Sequence, residues 1–364
     1  MKRSRTRRIW NVIWKILFGL SAASAAFLTL TPAGRYLARA GWEEARILSR
    51  RQPIEAVVRD STVPAGTRAK LGLVLEARSF AVNALGLTAG ESFTMYAQLD
   101  SDTLVLVLSA AYRDRLALRT WWWPIVGRVP YKGFFDVDAA QREQTRFERD
   151  GYDTDLRPAA AFSTLGWFND PVLSTSLDAD STSLVNTVVH ELLHNTVWIP
   201  GDVAFNETFA SFVGRHGALA FFRARGDSVA LARLDRGHEA ERTMGGFYET
   251  LYAQLDSAFR AHPGESLRDR RIAVRDTIFA AARDRLAGEI APALGITDTT
   301  WAARVRLNIA TLLARRVYRE DPAAFEAVLV SSGGDLRNAI ARIGDAARVA
   351  PKGGALAAVR ALAR

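Results

Sequence analysis

The first eight residues are strongly basic, and residues 9–30 are apolar apart from Asn11, Lys15 and a few small polar side chains. That contrast predicts a charged head followed by a membrane-targeting segment. Its 22 residues are enough for a tilted transmembrane helix. Ala23-Ser24-Ala25 also has the small-residue character of a signal-peptide cleavage site. In either case, positive charge ahead of the apolar run places the rest of the chain outside the cytoplasm, in the cell envelope. Helical periodicity follows. Tyr36, Leu37, Trp42, Ala45 and Leu48 form the apolar side of a helix over 35–50, and a longer helix over 67–85 is stopped by Gly86.

The period then shortens. Residues 93–99, 103–110, 131–135, 152–156 and 160–165 read as short strands, and 138–150 as a polar helix capped by Asp138. Three consecutive tryptophans, Trp121 to Trp123, read as core or interface packing or as a substrate wall. A nearly all-apolar helix starts at Asp180 or Ser181 and runs to about Trp198, where Ile199-Pro200-Gly201-Asp202 stops it. The next helix runs to about Arg225. Everything after Asp227 reads as helical: 228–261, open to a break at Gly245-Gly246, then 267–290, 300–318, 322–330 and 336–349. The pattern predicts a mainly helical α+β fold with a small central β-sheet, mixed or antiparallel. The 181–198 helix packs beneath that sheet, and a helical bundle closes the C-terminal side. Residues 1–30 form the tail and targeting segment, 31–350 a single domain, and 351–364 a frayed end.

Composition narrows the choice of chemistry. The chain of 364 residues has no cysteine, which excludes disulfides, thiolate metal ligands, a thiol nucleophile and a lipid-anchor cysteine. The net charge of +9 invites a nucleic-acid reading, but Lys2, Arg3, Arg5, Arg7, Arg8 and Lys15 supply six of those charges in the tail. No zinc-finger or RNA-binding signature accompanies them, so no nucleic-acid partner is expected.

The chemistry concentrates in His190-Glu191-Leu192-Leu193-His194. Positions i and i+4 stack on one helix face, so two imidazoles can close on one metal ion with the glutamate beside its open side. Burying two imidazoles and a carboxylate among Val185, Val188, Val189, Leu192, Leu193 and Val197 would be costly without a compensating charge. Glu207, in Phe205-Asn206-Glu207-Thr208-Phe209-Ala210, is the candidate third ligand. Two histidines, a carboxylate and an open fourth position make a catalytic zinc arrangement. A metzincin pattern would need glycine at 197 and histidine at 200, where the chain has Val197 and Pro200. His216 and His238 remain as alternative ligands, and Asn206 is either an outer partner that orients a ligand or a helix cap.

These motifs resemble a family of bacterial predicted aminopeptidases, gluzincin-like HExxH metallopeptidases. The resemblance includes Ala161-Phe162-Ser163-Thr164-Leu165-Gly166-Trp167-Phe168-Asn169-Asp170-Pro171, Gly127-Arg128-Val129-Pro130-Tyr131-Lys132-Gly133-Phe134-Phe135 and Leu307-Asn308-Ile309-Ala310, and it extends over about 36–329. It implies a zincin-like core and one Zn²⁺ held by His190, His194 and Glu207, with Glu191 as general base and a peptide substrate. Twelve residues separate His194 from Glu207, fewer than in the best-known gluzincins. In this class an edge strand commonly holds the substrate backbone. Residues 160–166 are the candidate, with Ser163, Thr164 and Gly166 at the substrate. Tyr248, His238 and Tyr318 are candidates for the donor that stabilises the oxyanion. Removal of N-terminal residues also needs a carboxylate for the substrate ammonium, for which Asp170, Asp178, Glu239, Glu241 and Glu249 are available. Internal cleavage of short peptides, or a membrane-tethered scaffold with a relict zinc site, are the alternative functions.

Overall fold

A computed structural model describes residues 2–99, 106–123, 127–158, 171–316 and 321–363. The chain divides into two compact units, Met1–Arg51 and Gln52–Arg364. The first contains α1 (Lys2–Leu30) and α2 (Pro32–Ser49). The Thr31 hydroxyl accepts from the Gly34 amide, and Pro32 opens the first turn of α2, where its missing N–H costs nothing. Ile13–Leu30 is, among the described residues, the one helical stretch long and apolar enough to cross a membrane.

The second unit begins with β1 (Gln52–Pro53), α3 (Ile54–Arg59), α4 (Ala65–Asn83), β2 (Met95–Ala97), β3 (Leu106–Tyr112) and β4 (Trp121–Trp123). It continues with β5 (Gly127–Val129), β6 (Lys132–Phe134), α5 (Val137–Arg149), β7 (Tyr152–Pro158), β8 (Val172–Leu173), α6 (Ser181–Thr196), α7 (Val203–Ala224) and α8 (Ser228–Arg260). The C-terminal helices are α9 (Arg268–Arg285), α10 (Ala291–Ala293), α11 (Trp301–Arg304), α12 (Ile309–Arg316), α13 (Pro322–Ser331), α14 (Leu336–Val349) and α15 (Ala355–Leu362).

The fold is mainly helical with small sheets, as the periodicity predicts, and the described residues do not join into a single central sheet. The described strands form three pieces: β1-β2-β8, with β2 and β8 parallel, the antiparallel β6-β3-β7, and the β4-β5 hairpin. The hypothesised strand at 160–165 lies outside the described residues. Nor does α6 lie chiefly under a sheet. Its principal neighbours are α7 and α4, because an all-round apolar helix is best buried by other helices. Val185, Val188, Val189, Leu192 and Leu193 are each at most 1% exposed in the largest core cluster. At about 1.5–3 kcal/mol per buried aliphatic side chain, this face is a main source of the stability that holds α6 in place.

Local chemistry shifts three other boundaries. Asp136, not Asp138, caps α5 by accepting from the Ala139 amide. The helix expected over 300–318 is broken between α11 and α12. There the Asn308 side chain donates to the Thr154 carbonyl of β7 at 2.8 Å, and the Ile309 amide donates to the Asp153 carboxylate at 2.9 Å. These tertiary hydrogen bonds to the strand outweigh helical continuity. Residues 351–364, expected to be frayed, contain α15, whose Ala355 and Val359 are buried in the same core cluster as α6.

The ends of α6 are fixed independently of its core face. Asp180 caps its N-terminus, accepting from the Thr182 and Ser183 amides and hydroxyls. Lys70 of α4 donates to the carbonyls of Leu177 and Ala179 just before it. At the other end, the Thr88 amide donates to the Thr196 hydroxyl at 2.9 Å, Asn195 donates to the Ser92 hydroxyl, and Arg348 of α14 donates to the Thr196 carbonyl. Burial works against ionisation of Asp180, but the hydroxyl and amide donors prevail and hold its carboxyl at about 2, against an ordinary 3.8. A carboxyl with a depressed folded-state value contributes stability that is fully present above the unfolded value and lost as pH falls through the folded one. Asp180→Ala is therefore expected to lower stability by about 1 kcal/mol at neutral pH in urea unfolding. The gap to wild type should close as the pH falls from about 4 towards 2.

Candidate metal centre

Two consecutive helices build the site. His190 and His194 lie one turn apart on α6, and their ring centroids are 5.0 Å apart with the rings nearly perpendicular. The next helix, α7, begins after a turn in which Gly201 adopts φ 80°, a left-handed conformation that suits glycine. Asp202 caps α7 by accepting from the Phe205 amide. One turn in, Glu207 reaches back to α6. Its Oε2 lies 3.6 Å from His190 Nε2 and its Oε1 lies 3.6 Å from His194 Nε2. One ligand atom from each of the three residues falls within 4.8 Å of the others.

These donors fit a metal. Zinc bonds of about 2.0–2.2 Å in tetrahedral geometry place neighbouring ligand atoms roughly 3.4 Å apart, close to the imidazole–carboxylate separations found here. The protonation states fit as well. Burial pushes the His194 imidazole down to about 4, and repulsion from His190 adds to this while Glu207 opposes it. The imidazole is therefore neutral, with its lone pair available, at physiological pH. Burial works against ionisation of Glu207, but hydrogen bonding to His190 and attraction to both histidines hold it below the usual carboxylate value. The three side chains are only 17–20% exposed, so the cluster is partly desolvated without being sealed from solvent.

Glu191 follows His190 on α6 and is half-buried. Asn206 is almost fully buried and clamps the connection between the helices. Its Oδ1 accepts from the Ile199 amide at 2.9 Å and its Nδ2 donates to the Ile199 carbonyl at 2.8 Å. It thus holds the α6–α7 connection rather than an imidazole. The clamp also restrains the neighbouring Trp198, which sequence reasoning did not single out. Its indole stands edge-on to His194 with centroids 5.4 Å apart and is 50% exposed, giving the site an apolar flank.

Other sequence candidates are not members of this three-residue cluster. His216 is nine residues beyond Glu207, half a turn round the helix, and pairs with Glu326 of α13 at 3.0 Å. The charges that act on His238 are those of Arg215, Glu241, Asp235 and Arg242, none of them in the triad. Tyr248 is buried in a second core cluster with Phe247 and Leu251, where the Arg315 guanidinium lies 5.2 Å from its ring centroid. Asp178 lies in the 3₁₀ turn ahead of α6, and Glu239, Glu241 and Glu249 lie on α8, with Glu239 paired to Arg242. Ser163, Thr164, Gly166, Asp170 and Tyr318 lie outside the described residues.

Fold and cluster together define a mainly helical α+β protein with a candidate metal centre shared by two consecutive helices. Over residues 35–352 the chain matches the family described as "Putative aminopeptidase", and it belongs to that family. No curated protein and no solved structure matches it.

Proposed function

We propose that this protein is a gluzincin-type zinc aminopeptidase with a zincin-like core, tethered to or released at the outer side of the bacterial inner membrane by its N-terminal segment. The observation that carries this reading is the convergence of His190, His194 and Glu207 beside Glu191, in a chain of the aminopeptidase family. One zinc ion would be held by the two imidazoles and the Glu207 carboxylate. When bound, zinc supplies Lewis-acid polarisation of the scissile carbonyl and acidifies the attacking water. Glu191 accepts that water's proton on a carboxylate oxygen and delivers it to the departing amine. The two imidazoles contribute nitrogen lone pairs, and Glu207 balances charge that would otherwise be costly in a partly buried site. The candidate span Ile13–Leu30, with its basic flank, supports membrane attachment.

Exopeptidase action is tested by following a longer peptide, free and N-acetylated, by time-resolved mass spectrometry. The proposal expects stepwise loss of N-terminal residues from the free peptide and none from the acetylated one. Equal internal cleavage of both would show an endopeptidase. Stoichiometric zinc with no turnover on any peptide would show a scaffold with a relict site.

A further inference from the structure

We infer that Gly214 is a positioning residue for the metal centre, because its missing side chain sets the spacing between the helix carrying the histidines and the helix carrying Glu207. The inference rests on the zinc reading and extends it to a residue that binds nothing itself. Gly214 lies seven residues after Glu207, two turns along the same face of α7. It is buried against α6 beside His190 and Asn186. A Cβ at this position would lie 2.6 Å from Asn186 Oδ1, 3.0 Å from the Asn186 carbonyl oxygen and 3.1 Å from His190 Cβ. The first contact is with a side-chain tip that can turn away. The other two are with the backbone of α6 and with the Cβ that anchors the ligand imidazole, and neither can yield without moving the helix. A methyl group here therefore wedges α6 from α7 beside His190, while Glu207 is carried on the helix being pushed. Ligand separations of 3.6 Å leave little slack for a metal whose bonds are fixed to within about 0.2 Å.

Gly217, less than a turn further on, provides the control. A Cβ there would meet Val189 Cγ1 at 2.7 Å and Leu85 Cδ1 at 3.1 Å. Those are core side-chain ends, and although Val189 precedes His190 in the chain, no atom of a ligand residue is among the contacts. Overpacking there destabilises the core without steering a ligand. A purely structural role for Gly214 would make the two glycines equivalent.

The experiment measures zinc affinity by competition with a chromophoric chelator, the visible spectrum of the Co²⁺-loaded protein, and the melting temperature of the metal-free protein. It compares wild type, Gly214→Ala and Gly217→Ala. Gly214→Ala is expected to lose about tenfold or more in zinc affinity, the scale of losing an outer-shell partner, and to alter the Co²⁺ spectrum. Gly217→Ala is expected to melt lower but to keep its zinc affinity within about twofold. Asn186→Gln adds a methylene to the same gap from the α6 side, so it is expected to weaken zinc binding as well and serves if Gly214→Ala does not fold. Equal affinities in wild type and Gly214→Ala, or equal losses in the two glycine variants, would overturn the inference. A wild-type protein that binds no zinc would overturn the metal reading itself, an outcome distinct from either.

Discussion

Glu191→Gln is expected to lower kcat by about 10²–10⁴-fold, the range over which a positioned general base contributes. That corresponds to roughly 3–5 kcal/mol of lost transition-state stabilisation. The amide keeps the size of the carboxylate but cannot accept the water's proton. Glu191 is not one of the three clustered donors, so the variant should hold as much zinc as wild type. It should also keep its fold, because α6 is anchored by its apolar face, by Asp180 and by the contacts at Thr196, none of which involves Glu191. Metal analysis beside steady-state kinetics on one peptide separates these effects. Full zinc with lost turnover is the expected pattern. Undiminished turnover would show that another group takes the proton.

The second large effect is expected at Glu207. Replacing it with alanine removes the only carboxylate in the triad and leaves two imidazoles 5.0 Å apart between centroids. Two imidazoles alone neither complete the coordination nor offset the ion's charge in a partly buried site. Zinc affinity should fall by more than the 10–100-fold typical of losing an outer-shell partner. His216 is not placed to substitute, since it faces away around α7 and is engaged with Glu326. A chelator competition in which Glu207→Ala binds zinc as tightly as wild type would remove Glu207 from the site.

The parts of the site that follow from local periodicity were legible in the sequence. The i, i+4 spacing of His190 and His194 is a property of one helix, and the apolar run around them announces burial. Glu207 was a candidate because the resemblance implies a glutamate on a second helix, and it does cluster with both histidines. The cap narrows in sequence to Asp180 or Ser181, and Asp180 fills the role. What escaped depends on which surfaces meet. Gly214 and Gly217 read in sequence only as weak helix formers, since nothing local says that α6 lies against that face. Asn206 reads as an outer partner that orients a ligand or as a helix cap, whereas its hydrogen-bond partner, the Ile199 backbone, is set by the path of the connection. Trp198 reads as the last apolar residue of a helix, whereas α6 ends at Thr196 and leaves the indole half exposed beside His194.

The fold shows the same division. Helix positions followed from the 3.6-residue period, including the 33 residues of α8, which run unbroken through Gly245-Gly246. How the described strands divide into three pieces did not, because strand pairing is non-local and very short strands carry little pattern. Expected strand 93–99 shrinks to Met95–Ala97, as Phe93 adopts φ 60° in the preceding turn. The gap before α12 was not legible either, since it is made by Asp153 and Thr154 of β7, some 150 residues earlier in the chain.

The most direct measurement is a titration of the metal-free protein with zinc while release of N-terminal residues from an unblocked peptide is followed. No release is expected before zinc is added, followed by a rise that levels off at one equivalent per chain. Release by the metal-free protein at the rate of the zinc-loaded one would contradict zinc dependence.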